Sequence, residues 1–422
     1  MHLRGRLQSL KNNFIVRANK IITVSSLGTI ENGGLLIHNG KIKDILTPDL
    51  LEQTHNIETI DLKDYIITPS LIDCHTHLLE FAPSSLYPIT QETHFLAAQS
   101  IILQTLSNGI TAIGEQLCGH PQCEFRINDY RKIAKALPID ISFATTSITI
   151  GFDQPVHFSA VSGSTSITKE QLIDPQLIKQ LAIENDYPGE NIFLNATPAN
   201  FTADTVPRAG EIVYTQEELQ KIVHLFHENY KKIGVHVAGK EGIDMVLDAG
   251  VDVLHHAHGI TSEQIAKAAM LQRMIVTTPL GGTHLVPNSP TEIAQLFEAN
   301  IITAIATDSY LPPYPNVDWL PYQDCQLRGP ETLMEIAQPS MKLLHNRGYY
   351  ENDLLALLTL NPAIILGKEQ QFGSLEPGKD ANFLVTSGVP GLEITDSSDI
   401  HAVYYKGKLV INRFLHSRLS EK

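Results

Sequence analysis

The sequence predicts an α/β protein: a (β/α)8 TIM-like barrel with a small β-sandwich formed by the N- and C-terminal segments. Two observations lead to this prediction. Short apolar runs suited to buried parallel strands alternate with segments of helical periodicity through the middle of the chain, and both chain ends consist of β-rich runs. Eight runs qualify as barrel strands, near residues 66–72, 110–115, 141–146, 191–197, 234–238, 252–256, 274–278 and 302–307. We therefore expect a barrel over residues 66–368.

The two chain ends are expected to complete each other. The hairpin-turn dipeptides Asn32-Gly33 and Asn39-Gly40 separate short β-rich runs near the N-terminus. Similar runs occupy residues 381–385, 402–405 and 409–411. Neither end is long enough to make a good sheet alone. Residues 1–65 and 369–422 are therefore predicted to form one composite β-sandwich domain.

The segments between the barrel strands carry helix signals. Gly109 ends the helix that precedes the second strand. Thr215 with Glu218, and Thr261 with Gln264, have the spacing of capping boxes and are predicted to begin two later helices.

Composition and charge exclude several classes of protein. The 422 residues carry a formal charge of −15, and no basic run is present, which argues against a nucleic-acid binder or a protein of anionic membrane surfaces. No stretch approaches the roughly 18 apolar residues of a membrane span, and we expect a soluble, cytoplasmic enzyme for a small-molecule substrate. The four cysteines form no CxxC pair. A homo-oligomer is compatible with the sequence, but no feature establishes one.

The strongest chemical signal is the pair His75 and His77 at the end of the first barrel strand. Residues at i and i+2 on a strand point the same way, so both rings can bind one metal ion. The alternative is a pair of rim histidines that stabilise a loop.

Further candidate ligands follow later strands. His236 ends the fifth strand, a group of three histidines (His255, His256 and His258) ends the sixth, and Asp308 follows the eighth. In a barrel these strand ends share one face. Imidazole nitrogens with one carboxylate suit zinc and leave an open position for water.

These motifs resemble those of the amidohydrolase superfamily. The resemblance rests on Pro69–His77, the dipeptide Thr307-Asp308, and the segments Thr359–Ala363 and Gly373–Ala381. It covers nearly the whole chain and implies the same barrel and β-sandwich.

Within the superfamily, the stretch from His236 to His256 resembles the imidazolonepropionase and prolidase-like branch. Several deaminase branches place a glutamate three residues after the fifth-strand histidine. Gly239 stands there in this chain, which lowers the deaminase alternative without removing it.

The resemblance leaves the number of metals open. Binuclear prolidase-like members carry a lysine in strand four, whereas the matching run 192–197 has no lysine, glutamate or aspartate. The simple expectation is one Zn²⁺ held by His75, His77, His236 and Asp308. The rival is a second metal with Cys118 as a ligand, since its spacing resembles that of D-aminoacylases, although an ordinary buried cysteine is favoured.

The resemblance implies a metal-dependent hydrolase acting on carbon–nitrogen bonds other than peptide bonds. A metal-activated hydroxide would attack an amide or cyclic amide, with Asp308 as general base and His256 as a group that stabilises the oxyanion. The alternatives are a deaminase of an amino-substituted ring and a non-catalytic amidohydrolase-like scaffold.

Substrate selection is expected from the strand-to-helix loops. Arg208 could bind a substrate carboxylate, His284 is a plausible rim contact, and Tyr310 belongs to an aromatic group that could line a pocket. Glu115 at the end of strand two is expected to face the same mouth. The alternatives are a surface charge for Arg208, packing of the loop onto the barrel for the aromatic group, and a salt bridge for Glu115.

Overall fold

A computed structural model describes residues 13–80, 91–119, 125–151 and 153–414. In chain order its strands are β1 Asn13–Ile22, β2 Thr29–Glu31, β3 Gly34–His38, β4 Lys41–Leu46, β5 Glu58–Pro69, β6 Leu71–Thr76, β7 Ile110–Leu117, β8 Asp140–Thr145, β9 Ser147–Ile150, β10 Val156–Ser159, β11 Glu190–Phe193, β12 Gly234–Ala238, β13 Val253–His258, β14 Met274–Thr277, β15 Thr303–Ile305, β16 Phe383–Thr386, β17 Ile400–Tyr405 and β18 Lys408–Asn412. Its α-helices are α1 Pro48–Gln53, α2 Gln91–Ser107, α3 Ile127–Ala134, α4 Lys169–Leu172, α5 Pro175–Glu184, α6 Gln216–Glu228, α7 Lys240–Ala249, α8 Ser262–Met270, α9 Pro290–Glu298, α10 Leu333–Asn346, α11 Glu351–Leu354 and α12 Leu360–Ile365.

The two chain ends form one eight-stranded sheet, in the order β18-β17-β16-β5-β1-β3-β4 with β2 paired to β1. Strand β5 joins the ends, because it lies parallel to β1 and antiparallel to β16. The ends therefore pair as expected, in a single continuous sheet, and a two-layered sandwich stays a prediction. The proposed domain boundary after residue 65 falls inside β5, which pairs with β16 as far as Pro69.

The predicted barrel strands correspond to two parallel sheets. One contains β6, β7 and β8, and the other contains β11 to β15. Strands β6, β7 and β13 are buried at every position, as expected for parallel strands covered on both faces. A parallel bridge between Thr76 and Ser309 joins the two sheets at one side. Among the described residues, no complete ladder of hydrogen bonds closes these sheets into a barrel.

Two strand boundaries differ from those predicted, and both differences matter for the site. Residues 66–69 belong to β5 of the terminal sheet, so the strand that carries His75 begins at Leu71. The fourth strand begins one residue earlier than predicted, at Glu190, and ends at Phe193.

The helix signals are observed where they were predicted. The Thr215 side chain accepts a hydrogen bond from the Glu218 amide at the start of α6, and Thr261 and Gln264 form the same motif at α8. None of the helices in the described ranges is both long and apolar enough to cross a membrane.

Gly109 connects α2 to β7 and lies against the terminal sheet. Its φ is +81°, and a Cβ atom there would lie 2.9 Å from both Ile400 Cδ1 and Leu384 Cδ1. The position thus requires glycine for two separate reasons, backbone conformation and contact with strands of the terminal sheet.

We predict that Gly109→Ala lowers the free energy of unfolding by about 2–4 kcal/mol, since left-handed backbone strain adds to overpacking. Gly348→Ala is the matched control, because Gly348 has a φ of +99° but a Cβ atom there would meet no other part of the fold within 4 Å. It should lose only about 1–2 kcal/mol. Urea unfolding measures both losses, and equal losses would contradict the contact between Gly109 and the terminal sheet.

Candidate metal centre

The carboxyl ends of the parallel strands bring the predicted candidate residues together. His75 lies near the end of β6 and His77 just beyond it, His236 lies in β12, His256 in β13, and Asp308 follows β15. Four of the five are fully or almost fully buried, and His77 is partly exposed.

Glu190, the first residue of β11, lies at the middle of this group. Its Oε1 is 3.2 Å from His75 Nε2 and 2.8 Å from His77 Nε2. Its Oε2 is 3.3 Å from His236 Nδ1 and 3.1 Å from His256 Nε2. One buried carboxylate therefore faces four imidazoles, two on each oxygen.

The premise that strand four supplies no acidic residue is wrong. The apolar run used for the prediction starts after Glu190, and the preceding Tyr187-Pro188-Gly189 has the composition of a turn. The available signal was an acidic residue directly before a short apolar run that ends on the catalytic face.

The candidate ligands form two sets that share Glu190. One set is His75, His77, Glu190 and Asp308, and the other is Glu190, His236 and His256; within each set the ligand atoms lie within 4.8 Å of one another. The predicted set placed His236 with His75, His77 and Asp308. Instead the structure places His236 with His256, and the arrangement could hold two divalent ions.

The buried carboxylates of Glu190 and Asp308 favour positive charge in the site. Burial opposes the imidazolium form, yet the carboxylates of Glu190 and Asp308 raise the pKa of His75 to about 9. Burial likewise opposes the carboxylate form of Glu190, but His75 and the other facing imidazoles hold its pKa well below its usual range. The pKa of Asp308 is also lowered, against the effect of burial, by His75 and His77.

Among the described residues, His236 Nε2 is a buried nitrogen of the site without a hydrogen-bond partner. His75 Nε2 and His236 Nδ1 lie 3.2 and 3.3 Å from oxygens of Glu190 but lack hydrogen-bond geometry. An unpaired polar atom in a buried site is destabilising, and a divalent cation between imidazoles and carboxylates removes that penalty. The donor set of imidazoles and carboxylates fits such an ion.

His255 orients His75. A carbonyl oxygen can only accept, so His255 Nε2 donates to Pro188 O at 3.1 Å. Burial, and then the positive charge of His75, lower the pKa of His255 well below its usual value. Neutral His255 therefore accepts at Nδ1 from His75 Nδ1, 2.7 Å away. This leaves His75 Nε2 as the nitrogen that faces Glu190 and Asp308.

Thr278 orients His256 in the same way. Its hydroxyl donates to Gly281 O at 2.6 Å, so its oxygen accepts from His256 Nδ1 at 2.8 Å and from His258 Nε2 at 3.1 Å. His256 consequently presents Nε2 to Glu190. Of the three histidines at this strand end, His256 faces the centre, while His255 and His258 contact other side chains.

Buried carboxylates also fix the backbone that carries the site. Glu115 accepts hydrogen bonds from the amides of Leu78 and Leu79, directly after His77. Asp73 accepts from the amide and hydroxyl of Thr307, directly before Asp308. Glu115 was expected to face the mouth as polar lining or as a salt-bridge member, and it accepts hydrogen bonds from the backbone of the loop after β6.

Cys118 lies behind His77. Its Sγ is 3.5 Å from His77 Nδ1, whereas Glu190 contacts Nε2 on the other side of the ring. Burial raises the pKa of the Cys118 thiol to about 12, so a thiol is favoured over a thiolate. Cys118 belongs to neither ligand set.

The predicted substrate contacts lie in three loops. Arg208 Nη2 is 2.6 Å from Glu211 Oε1, and its side chain is 41% exposed. The His284 ring packs against Gly210, and burial, with His236 nearby, lowers its pKa to about 4. The Tyr310 ring packs against Gly329, and burial raises its pKa to about 12.

Comparison with known proteins gives consistent matches. The family model described as "Amidohydrolase family" matches residues 66–410. The imidazolonepropionase of Shouchella clausii (strain KSM-K16) is 24% identical over 395 residues, covering 86% of this chain and 81% of the relative. The imidazolonepropionase of Christiangramia forsetii is 23% identical over 438 residues, covering 95% of this chain and 98% of the relative.

A solved Xaa-Pro dipeptidase with bound methionine superposes with a TM-score of 0.68 at 18% identity, covering 94% of this chain and 99% of the other. This likeness concerns the fold and implies a TIM-like barrel with mixed α/β content.

We predict that His255→Phe weakens metal binding about 10–100-fold, because His75 loses the acceptor that holds its tautomer. His255→Asn keeps an acceptor close to the position of Nδ1 and should stay nearer to wild type. Chelator competition measures the metal dissociation constant of each variant. Equal affinities in wild type and His255→Phe would show that the contact has no part in metal binding.

Metal content tests the shared carboxylate. Elemental analysis should find two divalent ions per wild-type chain, fewer in Glu190→Gln, and an unchanged number in Cys118→Ser. The amide lacks the charge that both ligand sets use, whereas Cys118 lies outside both sets. Full occupancy in Glu190→Gln would contradict the shared role, and a loss in Cys118→Ser would make the cysteine a ligand.

Proposed function

We propose, from the premise that the chain belongs to the amidohydrolase family, that it hydrolyses a cyclic amide with Asp308 as general base. The chain is a hydrolase of carbon–nitrogen bonds other than peptide bonds. The observation that supports the proposal is the position of Glu190. Its carboxylate belongs to both sets of candidate metal ligands at the ends of the parallel strands.

Two divalent ions fit the centre better than the single ion expected from the sequence. His75, His77 and Asp308 would hold one with Glu190, and His236 and His256 would hold the other. Zinc is proposed because neutral imidazoles and carboxylates are its usual oxygen and nitrogen ligands. Bound there, such ions polarise a substrate carbonyl and supply hydroxide near neutral pH.

Asp308 is placed to move a proton. Its Oδ1 lies 3.2 Å from His75 Nε2 and 3.3 Å from His77 Nε2, so this oxygen belongs to the ligand set. The other oxygen, Oδ2, lies 3.8 Å from His256 Nδ1. We assign Oδ2 as the acceptor of the proton of the attacking water and as its donor to the leaving nitrogen. The lowered pKa of Asp308 means that its carboxyl group is ionised at neutral pH, which a general base requires.

His256 changes its proposed role. The sequence favoured it as a group that stabilises the developing oxyanion. Its Nε2 faces Glu190, and its Nδ1 is occupied by Thr278, so both nitrogens are committed and it is better assigned as a ligand.

His284 is the proposed substrate contact. Its Nδ1 is buried without a hydrogen-bond partner among the described residues, and its ring is neutral near pH 7. A neutral imidazole can donate to a substrate carbonyl or accept from a ring N–H. Tyr310 is proposed as a further wall of the pocket.

The cyclic amide is supported by the relatives named imidazolonepropionase, whose name denotes a ring substrate. The deaminase alternative is disfavoured by Gly239, which is the N-cap residue of α7. Several deaminase branches of the superfamily carry a glutamate at this position. Against a non-catalytic scaffold, a barrel that only binds has no need of buried carboxylates opposed to four imidazoles.

Asp308→Asn should reduce kcat/KM for a cyclic amide by about 10²–10⁴-fold, because the amide cannot accept the proton. Circular dichroism should show an intact fold. Asp353→Asn, an exposed change on α11, is the matched control and should keep full activity.

The assay follows ring opening over a panel of cyclic amides and ammonia release over a panel of ring amines. Normal turnover in Asp308→Asn would show that the base is misassigned. Ammonia release without ring opening would favour the deaminase, and inactivity of the metal-replete protein in both panels would favour the scaffold.

A further inference from the structure

The loops at the carboxyl ends of the parallel strands are nearly free of basic side chains. The sequence has no lysine or arginine between Lys63 and Arg126, and none between Arg273 and Arg328. The first interval contains the residues between β6 and β7 and most of those between β7 and α3, and the second contains those between β14 and α9 and most of those between β15 and α10. Residues 81–90 and 120–124 are included in this count, which is taken from the sequence.

In the described segments that lead from the parallel strands into the first residues of the next helices, each basic side chain has a partner. Arg126 donates to Val161 O, Lys169 pairs with Glu218, Arg208 with Glu211, Lys240 with Asp244, and Arg328 with Asp324. Two of these arginines lie beside glycines that face the proposed substrate contacts, since Gly210 faces the His284 ring and Gly329 faces the Tyr310 ring. Arg208 lies 2.6 Å and Arg328 2.7 Å from a carboxylate oxygen.

Two further histidines in the described parts of these segments do not replace the missing cations. Burial lowers the pKa of His284 to about 4 and also lowers the pKa of His157, so both rings are neutral near pH 7. His120 lies outside the described residues.

Carboxylates are more frequent than free cations in the same loops. Asp153, Asp204 and Asp318 are exposed there. A substrate carboxylate entering this mouth meets like charge, and the described loops offer it no free guanidinium or ammonium group with which to pair. Like charges disfavour a partner by repulsion, and a desolvated, unpaired carboxylate is costly in addition.

We infer that the substrate is a cyclic amide without a carboxylate group, either uncharged or positively charged. This inference rests on the proposed function and narrows it. It separates the chain from relatives whose printed names denote acidic substrates, since a propionate and a dipeptide each carry a carboxylate. It also excludes N-acyl amino acids, because these compounds carry a carboxylate.

Matched substrate pairs test the inference on full-length, metal-replete protein. Each pair shares one scissile ring and differs only in a distal group: hydantoin propionate against hydantoin propionamide, and glutarimide carboxylate against glutarimide carboxamide. We expect kcat/KM to be at least ~10-fold higher for the amide member of a pair. Raising the salt concentration should increase kcat/KM for the carboxylate member alone, because screening weakens the repulsion.

A variant that frees a cation should shift the preference. Glu211→Gln removes the partner of Arg208. It should reduce the ratio of kcat/KM for the amide member to kcat/KM for the carboxylate member at least ~3-fold. Glu217→Gln is the matched control, because Glu217 is exposed on α6 and pairs with Lys221. It should leave the ratio unchanged.

The outcomes separate the two claims. A higher kcat/KM for the carboxylate members overturns the inference and leaves the proposed function standing. Hydrolysis of no member of either pair, by protein whose metal content has been verified, overturns the proposed function and the inference with it. A ratio that Glu211→Gln and Glu217→Gln shift equally overturns the charge argument.

Discussion

The structure of the centre depends on one constraint, the burial of the Glu190 carboxylate. A buried charge is tolerated only when other groups compensate it, and here four imidazole nitrogens lie within 3.3 Å of its two oxygens. Those imidazoles come from three different strand ends. The positions of β6, β12 and β13 relative to β11 are therefore tied to a single side chain, and so is the division of the ligands into two sets.

The surrounding residues convert this charge balance into fixed geometry. Hydrogen-bond chains run outward from His75 through His255 to Pro188 O, and from His256 through Thr278 to Gly281 O. Each series of hydrogen bonds ends on a backbone carbonyl, which can only accept. This fixes which nitrogen or oxygen carries the proton at every step of the series. Gly282 allows the loop after β14 to lie close to the Asp308 carboxylate, because a Cβ atom at this position would clash with Asp308 Oδ2.

The sequence predicted those parts of the centre that follow from strand periodicity. His75 and His77 were expected on one side because they are two positions apart on a strand. Glu190 was missed because it precedes its apolar run and follows a turn-like segment, so no periodic pattern includes it. The choice among His255, His256 and His258 could not be made by alternation, since His256 and Ala257 have positive φ values of 68° and 49°. A strand with left-handed residues no longer alternates its side chains, and only the folded backbone decides which ring faces inward.

The residues proposed for the chemistry and those proposed for substrate selectivity lie in different parts of the fold. The ligands lie on strand ends, which the buried core holds in place, whereas the charges of the mouth lie in loops that can change without altering the core. Two divalent ions would outweigh the charges of Glu190 and Asp308 and make the floor of the site positive, while the described loops above it expose carboxylates such as Asp204 and Asp318. If such ions are held by the two ligand sets, a polar substrate would turn its carbonyl oxygen toward the floor and its positive or neutral end toward the loops. Orientation of the substrate therefore follows from the order of charges along the site, and no arginine clamp is required.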